Sequence, residues 1–181
     1  MFVLLETERL LLRPPRAADI SHFVPLLSDF DVAKNLSVIP HPYTEDNACA
    51  FIVAVAHSWR TKAEFVFAIL RKKPPAFMGI CGLHPARNWE FGYWLGKPFW
   101  GQGYATEAAG CLVAYAFDDL GAEYLNAGWY YDNPASGRVL QKLGLRPNGE
   151  EQRKCIARGC QVLCHLVTLD RATYMTRKKV S

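Results

Sequence analysis

The sequence predicts an α/β (α+β) fold, one domain over residues 1–181, from three observations. Apolar residues recur at helical spacing through 104–120. Two strand-like runs, 64–70 and 77–83, are joined by Lys72-Lys73-Pro74-Pro75, a hairpin connection. Two more, 145–156 and 161–169, meet at Arg158-Gly159 near the end of the chain. A length of 181 residues suits one domain, and a chain that is 50% hydrophobic and 13% aromatic can bury a sizeable core.

In chain order, Leu10, Leu11 and Leu12 run into Arg13 and stop at Pro14-Pro15, which reads as a first strand. Asp19 is placed to cap a short helix with Ile20, Phe23, Val24 and Leu27 on one face, and Pro25 keeps it short. Thr44 is an N-cap. Glu45 and Asp46 follow in the first turn, where the helix dipole favours acids. Ala48, Phe51, Ile52, Val55, Ala56 and Trp59 then keep helical spacing. Run 64–70 is apolar on both faces, as in a covered central strand, and 77–83 and 90–95 are further strands. After a break at Gly96-Lys97-Pro98, the long helix carries Ala105, Ala108, Ala109, Leu112, Val113, Ala116, Phe117 and Leu120 on its inner stripe and ends at Gly121. Run 124–131 is a strand. In 133–144 Asn133 is the N-cap, Pro134 takes the first helical position and Gly144 follows the last turn.

The informative stretch is Trp100-Gly101-Gln102-Gly103-Tyr104-Ala105-Thr106-Glu107-Ala108. A strand ends, a glycine-rich turn follows and a helix begins. The first N–H groups of a helix have no partner inside it, and the dipole adds positive charge there. Glycines remove the side chains that would keep an anion away, so the turn can cradle a pyrophosphate. A tight turn before a helix is the plain alternative. A P-loop is excluded because Tyr104 stands where its lysine belongs. A dinucleotide fingerprint fits poorly, since hairpin-spaced strands precede the turn and Thr106 replaces its third small residue.

Several segments together resemble the GNAT superfamily of N-acetyltransferases, in its ribosomal-protein (RimJ/RimL-like) branch. They are Thr7-Glu8-Arg9-Leu10, Leu12-Arg13-Pro14, Phe91-Gly92-Tyr93-Trp94-Leu95, the glycine turn, Asp132-Asn133-Pro134-Ala135-Ser136 and Leu143-Gly144-Leu145. Trp100 departs from the signature, which usually opens with Arg or Gln. The resemblance implies a GNAT fold, with a mixed, mostly antiparallel sheet of about seven strands flanked by helices. It implies acetyl-CoA as co-substrate and a primary amine, on a protein N-terminus or a small molecule, as acceptor. Amides of Gly101, Gln102, Gly103, Tyr104, Ala105 and Thr106 would hold the pyrophosphate. The backbone of Tyr93, Trp94 and Leu95 would run beside pantetheine, Asn133 would bond its arm, and Ser136 would lie near the sulfur. A homodimer is common in that branch.

Acetyl transfer needs a neutral amine, donors for the oxyanion and a way for the thiolate to leave. A backbone N–H near Leu95 would serve the oxyanion, and Ser136 the thiolate, whose conjugate acid has a pKa of about 8.5 and needs little help. Glu90 is the candidate base, with His84, Asp132, His41 or a water chain as alternatives. The acceptor pocket is expected from 30–43 and the late hairpin 153–161, with His41, Tyr43 and Trp129 as candidate lining residues. A coenzyme-binding module without turnover is the competing reading.

Composition narrows the rest. A net charge of +4 suits an anionic small ligand and is too mild to argue for nucleic acid. No run approaches a membrane span, and Glu6 and Glu8 follow the apolar 1–5 too soon for a signal peptide. Cys155, Cys160, Cys164 and His165 lack zinc-knuckle spacing, so no metal is expected. Six cysteines without a C-x-x-C pair read as reduced thiols of a cytoplasmic protein. The basic 177–179 reads as a solvated end.

Overall fold

A computed structural model describes residues 3–86 and 88–179; Met1 and Phe2 of the apolar start lie outside the described residues. Eight strands form one sheet: β1 Leu5–Glu6, β2 Leu10–Arg13, β3 Phe65–Arg71, β4 Ala76–Pro85, β5 Trp89–Leu95, β6 Tyr124–Tyr130, β7 Arg146–Cys155 and β8 Cys160–Asp170. Their order is β1-β2-β3-β4-β5-β6-β8-β7. Every neighbouring pair is antiparallel except β5 and β6. The helices are α1 Ile20–Leu27, α2 Phe30–Ala33, α3 Glu45–Thr61, α4 Tyr104–Ala114, α5 Pro134–Lys142 and α6 Arg171–Lys178.

Central burial follows the apolar runs. Phe67, Ile69, Leu83, Leu112, Phe117 and Leu125 have no exposed surface. Each such side chain contributes roughly 1.5–3 kcal/mol by leaving water. Phe23 from α1 meets Phe77, which meets Trp94, so α1 covers the face of β5 that carries Trp94. Tyr115 meets Phe65, which meets Trp89, so the α4 segment covers the other face.

Two expectations need correction. Asp19 makes no cap bond to α1; it is 3% exposed, accepts the Arg16 N–H at 2.9 Å and pairs with Arg13 at 2.7 and 2.8 Å. The long helix is regular only to Ala114, then widens into a π turn, Tyr115–Asp119. Tyr115, Ala116 and Phe117 are all buried, and three consecutive inward side chains exceed the stripe a regular helix offers. The basic end, 177–179, is exposed as expected, while Lys178 pairs with Asp118 at 2.8 Å and Arg177 donates to the Lys142 carbonyl at 3.0 Å.

Candidate active site

The one parallel junction shapes the site. β5 and β6 pair only at Trp89–Leu125 and Glu90–Asn126, although both strands continue well beyond. Past that point they separate. Antiparallel ladders alternate the direction of their polar groups. Gly96 N–H donates to the Met78 carbonyl, so the N–H and C=O groups of Phe91, Tyr93 and Leu95 point away from β4 and into the gap. On the far side Tyr131 N–H donates to the Leu163 carbonyl, which turns Gly128 and the Tyr130 N–H into the same gap. The gap is a slot with backbone donors and acceptors along both walls.

The slot leads to the start of α4. Gly103 is its N-cap, with φ +81° and no side-chain capping bond; Gly101 has φ +74°. Both angles lie where side chains are strained. A Cβ at Gly101 would meet nothing within 4 Å, so the turn is open on that side. Glu107 N–H is the first to bond back to Gly103, which leaves the amides of Tyr104, Ala105 and Thr106 at the uncapped end. Trp100 gives the turn no charge; its indole N–H donates to the Leu95 carbonyl at 2.7 Å.

Tyr93 and Ser136 meet across the slot, hydroxyl to hydroxyl, at 3.0 Å. Burial pushes the Tyr93 phenol up to about 12, partly opposed by the Ser136 bond. Asn133 caps α5, accepting the Ser136 N–H at 3.3 Å. Trp94 is placed differently from the sequence expectation. It alternates with Tyr93, so its backbone faces β4 and its ring packs on Phe77.

Glu90 lies on the opposite face of β5 from Tyr93, by the same alternation. Arg153 of β7 reaches it at 2.6 Å and also holds Glu151 at 2.7 Å. Burial would weaken the Arg153 charge, but the two carboxylates hold its pKa above the usual value. Of the alternative bases, His84 is the β4 partner of Glu90 and lies 3.6 Å from Glu64. Asp132 is clamped by Arg158 at 2.7 and 3.1 Å, which keeps its carboxyl below the usual range despite partial burial. His41 stands exposed, edge-on to Phe30 at 5.2 Å.

Of the other lining candidates, Tyr43 is 5% exposed and lines a small apolar hollow with Phe23, Leu27, Ile39, Phe51, Ile80 and Trp94; burial raises its phenol to about 12. Trp129 sits on the α5 face, the face opposite Asn126: a Cβ at Gly137 would lie 2.8 Å from its ring, and the His165 ring lies tilted against it at 5.1 Å. Alternation along β6 therefore separates Trp129 from Glu90. Sequence reasoning missed Arg153 and Arg9. The Arg9 guanidinium bonds Glu107 at 2.6 Å and the Gln102 carbonyl at 3.1 Å and lies 4.4 Å over the Tyr104 ring. Both arginines sit far along the chain from the groups they touch, and no spacing rule could pair them.

Among the described residues no group of three or more His, Cys, Asp or Glu is arranged for a metal, and no helix is long and apolar enough to cross a membrane.

Comparison with known proteins places this geometry. Residues 9–146 match the acetyltransferase (GNAT) domain family. YnaD of Bacillus subtilis, named an N-acetyltransferase, is 31% identical over 159 residues, spanning 84% of this chain and 88% of its own. The ribosomal-protein acetyltransferase RimL, solved with coenzyme A, superposes with a TM-score of 0.81 at 14% identity, covering 94% of this chain and 99% of RimL. The microcin self-immunity acetyltransferase MccE, solved with acetyl-CoA and AMP, gives 0.77 at 18% identity, covering 91% of this chain and 93% of MccE.

Proposed function

The chain belongs to the acetyltransferase (GNAT) family, and on that premise we propose that it moves an acetyl group from acetyl-CoA to a primary amine, on a protein N-terminus or a small molecule. One observation carries the reading: the slot between β5 and β6 runs into the uncapped start of α4. An extended amide-bearing arm fits walls of N–H and C=O groups, and a diphosphate fits exposed helix-start amides. Gly101 to Thr106 hold the diphosphate. The inward-facing groups of Phe91, Tyr93 and Leu95 hold the arm, with Asn133 at the head of α5. Acetyl-CoA supplies an activated acyl thioester.

The chain's own groups divide the work between two faces. Glu90 faces the α1 side and Ser136 faces the α4–α5 side, with the slot between them. An ammonium arriving from the Glu90 side loses its proton there, directly or through water. Inward N–H groups of β5 stabilise negative charge on the carbonyl oxygen as the N–C bond forms. The C–S bond then breaks as the nitrogen gives up its second proton, which reaches the departing sulfur through the Ser136 hydroxyl, oriented by Tyr93. Arg153, 2.6 Å away, aims the Glu90 carboxylate. The buried thiols Cys81, Cys155 and Cys164, all unpaired, support a reducing compartment.

Incubation with acetyl-CoA and a panel of amines tests the proposal through release of free thiol. Release should depend on one class of amine and disappear with Gly103→Val. Tight coenzyme binding with no release from any amine would sink the enzymatic reading.

A further inference from the structure

Resting on the placement of the coenzyme diphosphate at the α4 turn, we propose that Arg9 is the side-chain cation that completes this cradle and binds the diphosphate directly. Arg9 comes from the segment before β2 and lies against the turn at three points. Its Nη1 donates to the Gln102 carbonyl at 3.1 Å, its guanidinium carbon lies 4.4 Å over the Tyr104 ring, and its Nη2 is 3.4 Å from where a Gly103 Cβ would be. No side chain stands between Nη2 and the Gly103 backbone, because residue 103 has none.

Its hydrogen-bonding capacity is incompletely used. Nε and Nη2 each reach Glu107 Oε2 at 2.6 Å, and Nη1 holds the Gln102 carbonyl. Nη1 and Nη2 carry two hydrogens each, so each keeps one in the guanidinium plane. The side chain is 43% exposed. Trp100 provides no cation: its indole is neutral, and its N–H donates to the Leu95 carbonyl. The aim of Arg9 is fixed from behind. Glu107 also accepts from the Thr7 hydroxyl at 2.5 Å and the Arg9 backbone N–H at 2.9 Å. These bonds outweigh the effect of burial and hold the Glu107 carboxyl below its usual range. A guanidinium anchored by its own counter-ion, with forward donors remaining, is preorganised for a phosphate oxygen.

Glu107 permits a sharp test, because Arg9 has two separable roles: masking that carboxylate and contacting the ligand. Tryptophan-fluorescence titrations with CoA and with pantetheine, which lacks phosphates, are made on the wild type, Arg9→Gln and the double variant Arg9→Gln/Glu107→Gln. Melting curves confirm folding. CoA affinity should fall about tenfold or more in Arg9→Gln, as for loss of a charged hydrogen bond. It should stay low in the double variant, while pantetheine binding is unchanged. Unaltered CoA affinity in Arg9→Gln, recovery in the double variant or an equal loss for pantetheine overturns the assignment. Failure of the wild type to bind CoA would instead remove the coenzyme reading itself.

Discussion

The two sides of the slot are built by different means. On the proposed coenzyme side, main-chain groups line the slot: the inward edge of β5, the glycine turn and the start of α4. On the proposed acceptor side, ion pairs tie segments together. Arg153 ties β7 to Glu90, Arg158 ties the β7–β8 turn to Asp132 and to the Lys34 carbonyl, and Arg13 ties β2 to Asp19. A backbone site tolerates almost any side chain that leaves the φ angles and the space intact. A site made of ion pairs changes with each partner, which lets one fold accept different amines.

The contrast can be broken most severely at Gly103. Valine there, at φ +81°, should lower CoA affinity about a hundredfold by calorimetry, since left-handed strain costs about 1–2 kcal/mol and the cradle is blocked as well. Affinity within twofold of wild type would mean that the turn is not the binding element.

Arg13→Met probes the other side. It leaves Asp19 buried and unpaired and should lower stability by roughly 3–5 kcal/mol in urea unfolding. The acid dependence sharpens the point. Burial alone would raise the Asp19 carboxyl, but bonds from Arg13 and Arg16 hold it below 3.8. A depressed carboxyl gives stability that is complete above the unfolded value and fades as pH falls through the folded one. Asp19→Asn should remove that acid-side slope, and an unchanged slope would assign it to other groups.

Glu90→Gln should reduce kcat about a hundredfold with little change in CoA affinity, and change the shape of the pH–rate profile. A profile of unaltered shape excludes Glu90 as the base. Ser136→Ala should have the smallest effect, about tenfold in kcat, because a thiolate leaves readily; an increase in CoA dissociation larger than the loss in kcat would make Ser136 a binding group instead.

The same division explains what could be read from the sequence. The strands, the helix stripe and the glycine turn are local patterns, and a backbone site needs only those, so residues 101–106 stood out. Asn133 and Ser136 were legible because a cap and a first turn have sequence signatures. Trp94 was misplaced because alternate residues of β5 face opposite ways, and its phase depends on pairing with β4. Tyr43 and Trp129 are aromatic residues near the expected pocket, but packing against Phe23 and Gly137 decides where their rings go. Arg153 and Arg9 were missed because their partners, Glu90 and Glu107, lie 63 and 98 residues away.

The two-rung junction of β5 and β6 has a mechanical consequence. Strands β1 to β5 and strands β6 to β8 share few main-chain bonds, so the sheet resembles two panels joined at one corner. Amide hydrogen exchange should report the panels as separate cooperative units in the free protein. A molecule threaded between them staples the panels together, so saturating CoA should merge the two exchange classes and raise the melting temperature with concentration.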